Sequence, residues 1–147
     1  MDVKTIRFDR TKCTACCACA MACMDEKNTD VEHGERALRQ VYTEELCRGG
    51  QVSFRFHSDS CIHCRVPACV AACEPGCLYK DAESGLVLYD TVSCDGCGQC
   101  LKSCPMGAIS LDCDGKIQKC DGCIERQRAG KISACVRVCP TGALYLE

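Results

Sequence analysis

Apolar positions in this chain come in short bursts separated by turn residues, never in long periodic stretches. Val3–Phe8 alternates and predicts a strand, and Val52–His57 reads the same way. Leu78–Lys80 and Leu86–Tyr89, with Ser84-Gly85 before the second run, predict a hairpin. Ile109–Leu111 and Ile117, around Asp114-Gly115, predict another. Ala143–Leu146 predicts a last short strand. Residues 25–50 are charge-rich and read as a connection, with a strand at Leu38–Thr43 and a boundary at Gly49-Gly50. No run of roughly 18 apolar residues occurs, so no direct membrane span is expected.

Composition changes the picture. The 147 residues include 20 cysteines, no Trp, three Phe and four Tyr. So few aromatics leave a thin conventional core, and cysteine chemistry must supply what burial does not. The formal charge of −2 disfavours a basic nucleic-acid binder, so no nucleic-acid partner is expected. The first residues hold no apolar stretch of signal-peptide length. Disulfides are therefore disfavoured, and a reducing, cytoplasmic and anaerobic setting is expected.

Spacing sorts the cysteines into four quartets. Cys13, Cys16, Cys19 and Cys23 are followed by Cys61, Cys64, Cys69 and Cys73. Then come Cys94, Cys97, Cys100 and Cys104, and finally Cys120, Cys123, Cys135 and Cys139. Three closely spaced thiolates in one loop suit three corners of an iron–sulfur cube, with the fourth cysteine three residues on, entering a short helix. Zinc modules present two cysteines and then a long gap. The spacing thus favours [4Fe–4S] clusters, four of them for sixteen cysteines. Only the last quartet, with 11 residues between Cys123 and Cys135, resembles a zinc pattern when taken alone. Cys17, Cys47, Cys77 and Cys113 remain over. Cys17 reads as a small buried side chain, and Cys47 and Cys113 as ordinary thiols.

The quartets also form an internal repeat. Cys104-Pro-Met-Gly-Ala-Ile109 and Cys139-Pro-Thr-Gly-Ala-Leu144 are nearly one segment, a helix end, a Pro stop, a Gly turn and a strand. Cys73-Glu-Pro-Gly-Cys-Leu78 is a variant. Cys23 has no such ending, so its helix is expected to run on for a turn.

These features resemble the four-cluster iron–sulfur subunit of the dimethyl-sulfoxide reductase type. Relatives of that subunit serve formate dehydrogenases, nitrate and polysulfide reductases and tungsten aldehyde oxidoreductases. The resemblance rests on Cys13-Thr-Ala-Cys16, Asp25-Glu-Lys-Asn28, Leu38-Arg-Gln-Val-Tyr42, Cys61-Ile-His-Cys64 with Pro67 and Cys69, and Lys119-Cys-Asp-Gly-Cys123. The long gap before Cys135 is its most specific mark.

The resemblance implies an α+β fold of two ferredoxin-like modules, with short helices and hairpins around four [4Fe–4S] clusters. Residues 1–24 and 114–147 would form one module, 25–50 a connection and 51–113 the other. It also implies crossed ligation. Cys13, Cys16, Cys19 and Cys139 would hold one cluster, and Cys23, Cys120, Cys123 and Cys135 its partner. Cys61, Cys64, Cys69 and Cys104 would hold a third, and Cys73, Cys94, Cys97 and Cys100 the fourth. The two ends of the chain must then meet.

The implied function is electron transfer to or from a large molybdenum- or tungsten-pterin catalytic subunit, with no catalysis by this chain itself. A further redox subunit or a second copy of the chain would be additional partners. A free polyferredoxin shuttle and a hydrogenase subunit are the alternatives. The chain departs from the family in ending just after its last strand, in Glu74 standing at a usual Pro position, and in Cys77 standing where Ala is common. The short end weighs against membrane-anchored assembly, and export with a signal-bearing partner stays open.

Two further features stand out. Between residues 116 and 137, Lys116, Lys119, Arg126, Arg128, Lys131 and Arg137 face only Asp121 and Glu125, a surplus that reads as a positive patch or a solvated face. Lys119, directly before Cys120, is the foremost candidate for tuning a cluster. His63 reads as packing beside a cluster rather than ligating it, and His33 and His57 read as surface residues.

Overall fold

The computed structural model describes residues 2–147. Among the described residues, eight strands pair as four separate antiparallel two-stranded units. The predicted first strand is shorter than its alternation suggested, β1 at Ile6–Phe8, and it pairs with β8, Leu144–Leu146. Ile6 faces Leu146 and Phe8 faces Leu144, so the two ends of the chain lie side by side. Backbone bonds between Thr5 and Glu147, 2.9 and 3.0 Å, extend the ladder by one step.

The two hairpins expected in the middle of the chain are present. They are β4, Leu78–Lys80, with β5, Val87–Tyr89, and β6, Ile109–Leu111, with β7, Ile117–Lys119. Their inward residues make one apolar centre, where Leu78, Val87, Ile109 and Ile117 pack with Cys77, Cys94 and Cys100. Each fully buried Val, Leu or Ile contributes about 1.5–3 kcal/mol. Around Cys19, Cys135 and Leu144, with Ile6 and Phe8, lies a second centre. Leu86, Leu88 and Ile124 form a third.

Residues 25–50 are more ordered than expected. β2 spans Gln40–Arg48 and β3 spans Gln51–Asp59, paired over their full length. Gly49 and Gly50, read as a boundary, are the two-residue turn of this hairpin. Both adopt positive φ, +55° and +80°, as a tight turn matching strand twist requires. The arm is largely exposed, and Tyr42 stacks on His57 with ring centroids 4.4 Å apart. His57 is therefore not a free surface residue: stacking, Glu44 and Arg10 enclose it.

The helices are short. α1, Ala18–Glu26, continues past Cys23 as expected. α2, Ala68–Ala71, α3, Gln99–Ser103, and α5, Ala134–Arg137, each carry a late cysteine of a quartet or lead into it. α4, Ile124–Arg128, fills the long gap of the last quartet. The chain is thus an assembly of short helices and small antiparallel hairpins, compatible with an α+β ferredoxin-like iron–sulfur fold.

Candidate metal centres

Each quartet opens with Cys-x-x-Cys, and the residue before the second cysteine is left-handed in all four. Ala15, His63, Gly96 and Gly122 have φ of +54°, +52°, +74° and +71°. For Ala15 and His63, which carry a Cβ, this costs about 1 kcal/mol or more, a strain expected only where a function requires it. The conformation turns a backbone N–H back onto the first thiol. Ala15, His63 and Gly122 donate to Cys13, Cys61 and Cys120 Sγ, each at 3.4 Å. In the remaining loop Ile117 N–H, from β7, reaches Cys94 Sγ at 3.4 Å. Inward N–H groups of this kind stabilise negative charge on sulfur.

Thiols far apart in sequence gather around common volumes. One cavity is ringed by Cys13, Cys16, Cys19 and Cys139, with Pro140 beside them. A second is ringed by Cys61, Cys64, Cys69 and Cys104, with Pro105 and Val87. Cys23 is buried; burial first, then the neighbouring Cys120, Cys135 and Cys123 thiolates, push its thiol up to about 12. Cys73, Cys94 and Cys100 pack in one apolar centre, while Cys97 is exposed. Among the described residues no three such side chains converge on a point as a single ion would need. The thiols stand around volumes instead.

The leftover cysteines behave differently. Cys17 is exposed, not buried as expected: it stands just before α1 in a left-handed conformation, φ +64°, at the rim of the cavity of Cys13, Cys16, Cys19 and Cys139. Cys47 and Cys113 are exposed, on the β2–β3 arm and the β6–β7 turn. Cys77 is buried, with its sulfur 3.1 Å from that of Cys73.

Charge completes the fit. Lys119 is fully buried, 0 % exposed, so it is not part of a surface patch. Its Nζ donates to the carbonyls of Val87 and Cys120, both at 2.6 Å. Arg39 is 3 % exposed and donates to Ser58 O and Oγ, 2.9 and 3.2 Å, and to Ser60 Oγ, 2.8 Å. In the sequence Arg39 stands out only as part of a motif; its burial arises from how the β2–β3 arm folds over Cys19. Neither cation has a carboxylate partner among the described residues. A buried charge must be compensated. The groups beside them able to take up negative charge are cysteine sulfurs. Burial pushes the Cys135 thiol up and the Arg39 guanidinium beside it pulls it down. At Cys61 burial likewise acts upward and Lys119 downward. The donor set, its inward N–H groups and its buried cations therefore fit anionic, thiolate-held iron–sulfur clusters.

The cysteine loops, together with the thiol-ringed cavities and buried cations, make this a ferredoxin-type iron–sulfur protein. Residues 52–147 match the family described as the 4Fe-4S dicluster domain, and the protein belongs to that family. It is 35% identical over 145 residues to the B subunit of anaerobic dimethyl sulfoxide reductase from Haemophilus influenzae, covering 93% of this chain and 70% of that one. With the thiosulfate reductase electron transfer subunit PhsB of Salmonella typhi it shares 37% identity over 139 residues, 92% of this chain and 71% of the relative. The nitrate-inducible formate dehydrogenase iron-sulfur subunit of Escherichia coli is 28% identical over 152 residues, 94% of this chain but 52% of the longer protein. These relatives are named as subunits of oxidoreductases, in two cases as the iron-sulfur or electron transfer subunit. No helix among the described residues is long and apolar enough to cross a membrane.

Proposed function

We propose that this chain is a cytoplasmic electron-transfer subunit that holds four [4Fe–4S] clusters and passes single electrons to or from a large molybdenum- or tungsten-pterin catalytic subunit. The proposed ligand sets are Cys13, Cys16, Cys19 and Cys139; Cys23, Cys120, Cys123 and Cys135; Cys61, Cys64, Cys69 and Cys104; and Cys73, Cys94, Cys97 and Cys100. The observation that carries the reading is the pair of cavities ringed by thiols from different quartets, Cys13, Cys16 and Cys19 meeting Cys139 in one and Cys61, Cys64 and Cys69 meeting Cys104 in the other.

When bound, the clusters supply one-electron redox chemistry. The chain's own residues do the rest. The thiols fix position, the left-handed loops direct N–H groups at sulfur, and the apolar centres keep water away. We propose two ferredoxin-like modules, residues 1–24 with 114–147 and residues 51–113. Hairpins β2–β3 and β6–β7 run across the cut points, so continuous sheet, not a free linker, would join the modules.

The test is iron and acid-labile sulfide per chain on anaerobically purified protein, with co-purifying polypeptides identified. About sixteen irons together with a large molybdenum or tungsten subunit is the expected result. The same iron on a chain that purifies alone would favour a free polyferredoxin. Stoichiometric zinc with little iron would overturn the reading.

A further inference from the structure

Arg39 and Lys119 are two buried cations without carboxylate partners among the described residues, and they sit at different places relative to the four thiol sets. Arg39 grips Ser58, whose hydroxyl lies 3.3 Å from Cys19 Sγ, and its guanidinium also stands beside Cys135. It therefore lies where the Cys19 set meets the Cys135 set. Lys119 bonds the carbonyl of Cys120 on one side and that of Val87 on the other, and Val87 lines the cavity of the Cys61 set. It lies where the Cys120 set meets the Cys61 set. The set of Cys23, Cys120, Cys123 and Cys135 thus has Arg39 beside its Cys135 thiol and the Lys119 ammonium on its Cys120 carbonyl.

The other nearby cations act weakly or are cancelled. Lys27 is paired with Asp121 at 2.7 Å. Lys80 bonds the carbonyls of His63 and Cys64, and Lys116 that of Cys94, but all three contacts are only partly buried or exposed, where solvent screens charge. A buried unit charge keeps several times the interaction energy it has in water.

We infer that Arg39 and Lys119 make the cluster held by Cys23, Cys120, Cys123 and Cys135 the highest-potential site of the chain, the position where a single electron rests. This rests on the four-cluster reading above. Reduction adds one electron, and so one negative charge, to a cluster without moving a proton. A fixed buried cation stabilises that added charge, and two do so more than one. The deep burial of this thiol set opposes reduction, and the paired cations outweigh it.

The experiment is a mediated potentiometric titration with dithionite, followed by electron paramagnetic resonance, on the holo-protein in whatever complex it purifies. Cys16→Ser, Cys123→Ser, Cys64→Ser and Cys97→Ser, made singly, mark which of the four waves belongs to which set. In the unsubstituted chain the wave altered by Cys123→Ser is expected first on reduction. Lys119→Met is expected to lower that wave and the one altered by Cys64→Ser. Arg39→Met is expected to lower it together with the one altered by Cys16→Ser. The Cys97 wave stays in both. Lys119→Arg and Arg39→Lys, which keep the charge, return the original order.

If any other wave precedes the Cys123-marked one in the unsubstituted protein, the inference is overturned. It is also overturned if fully loaded Met variants leave every wave in place or shift all four alike. Should a Met variant fail to load iron, the order of waves in the unsubstituted protein decides. Iron far below sixteen per unsubstituted chain would count against the four-cluster reading itself, a separate result.

Discussion

The backbone N–H of Val87 donates to His63 Nδ1 at 3.1 Å, which fixes the proton of this imidazole on Nε2. His63 is buried, and burial first, then the Lys119 charge, pulls it down to about 3, so it is neutral at ordinary pH. Its Nε2–H is buried with no protein partner. A buried donor without an acceptor is costly, and the acceptors expected in this loop are cluster and thiolate sulfurs. His63→Leu is therefore expected to lower the potential of one cluster while iron content holds. A hydrogen bond to a charged group is worth about 1.5–3 kcal/mol, and only the part that grows on reduction moves the potential. The shift is then on the order of tens of millivolts, since about 59 mV is tenfold for one electron. Electron–nuclear double resonance in deuterated buffer checks it: an exchangeable proton coupling present in the original protein disappears in the variant.

Cys77 offers a second donor of the same kind. Its sulfur lies 3.1 Å from Cys73 Sγ. Burial first, then the bond to Cys73, pushes the Cys77 thiol up to about 12. Against the upward push of burial, the Cys77 bond and the N–H groups of Leu78, Cys77 and Gly76 hold Cys73 below the usual thiol range. Of the pair, Cys73 is the better acceptor and Cys77 the better S–H donor. Cys77→Ala is expected to keep about sixteen irons per chain while lowering one potential, by less than His63→Leu because S–H is a weak donor. Cys77→Ser, which keeps a donor, restores it. Loss of about four irons in Cys77→Ala would instead make Cys77 a ligand.

What was legible in the sequence was whatever local spacing dictates. The quartets, the Cys-Pro-x-Gly turns and the hairpins at Leu78–Tyr89 and Ile109–Lys119 follow from residue types a few positions apart. The β2–β3 arm was half seen, because Gly49-Gly50 signals a turn as readily as a boundary, and only the partner strand decides. Arg39 and the exposure of Cys17 were not legible. The first depends on a long-range contact with Ser58, and the second goes with a left-handed φ that a cysteine does not announce. The place of Lys119 beside Cys120 marks it for tuning, but its burial was hidden, since β7 alone gives no sign of packing under Val87 and Tyr89.

The glycines of the loops differ in what surrounds them, and this separates two otherwise similar substitutions. Gly96 lies between Cys94 and Cys97 at φ +74°, and a Cβ there would collide with the backbone carbonyl of Gly115 in the β6–β7 turn. Gly122, between Cys120 and Cys123 at φ +71°, would place a Cβ 2.8 Å from a Leu86 side-chain methyl. A backbone carbonyl in a tight turn cannot yield, whereas a leucine rotamer adjusts at modest cost. Both Ala variants bear the left-handed penalty of about 1–2 kcal/mol. Gly96→Ala adds the cost of prising its loop from the hairpin that supplies the Ile117 N–H to Cys94 Sγ. Expected destabilisation is roughly 3–4 kcal/mol for Gly96→Ala and about 1–2 kcal/mol for Gly122→Ala. Iron retention during anaerobic thermal denaturation checks the order: Gly96→Ala releases iron at the lower temperature, and the reverse order would refute the account of the Gly115 contact.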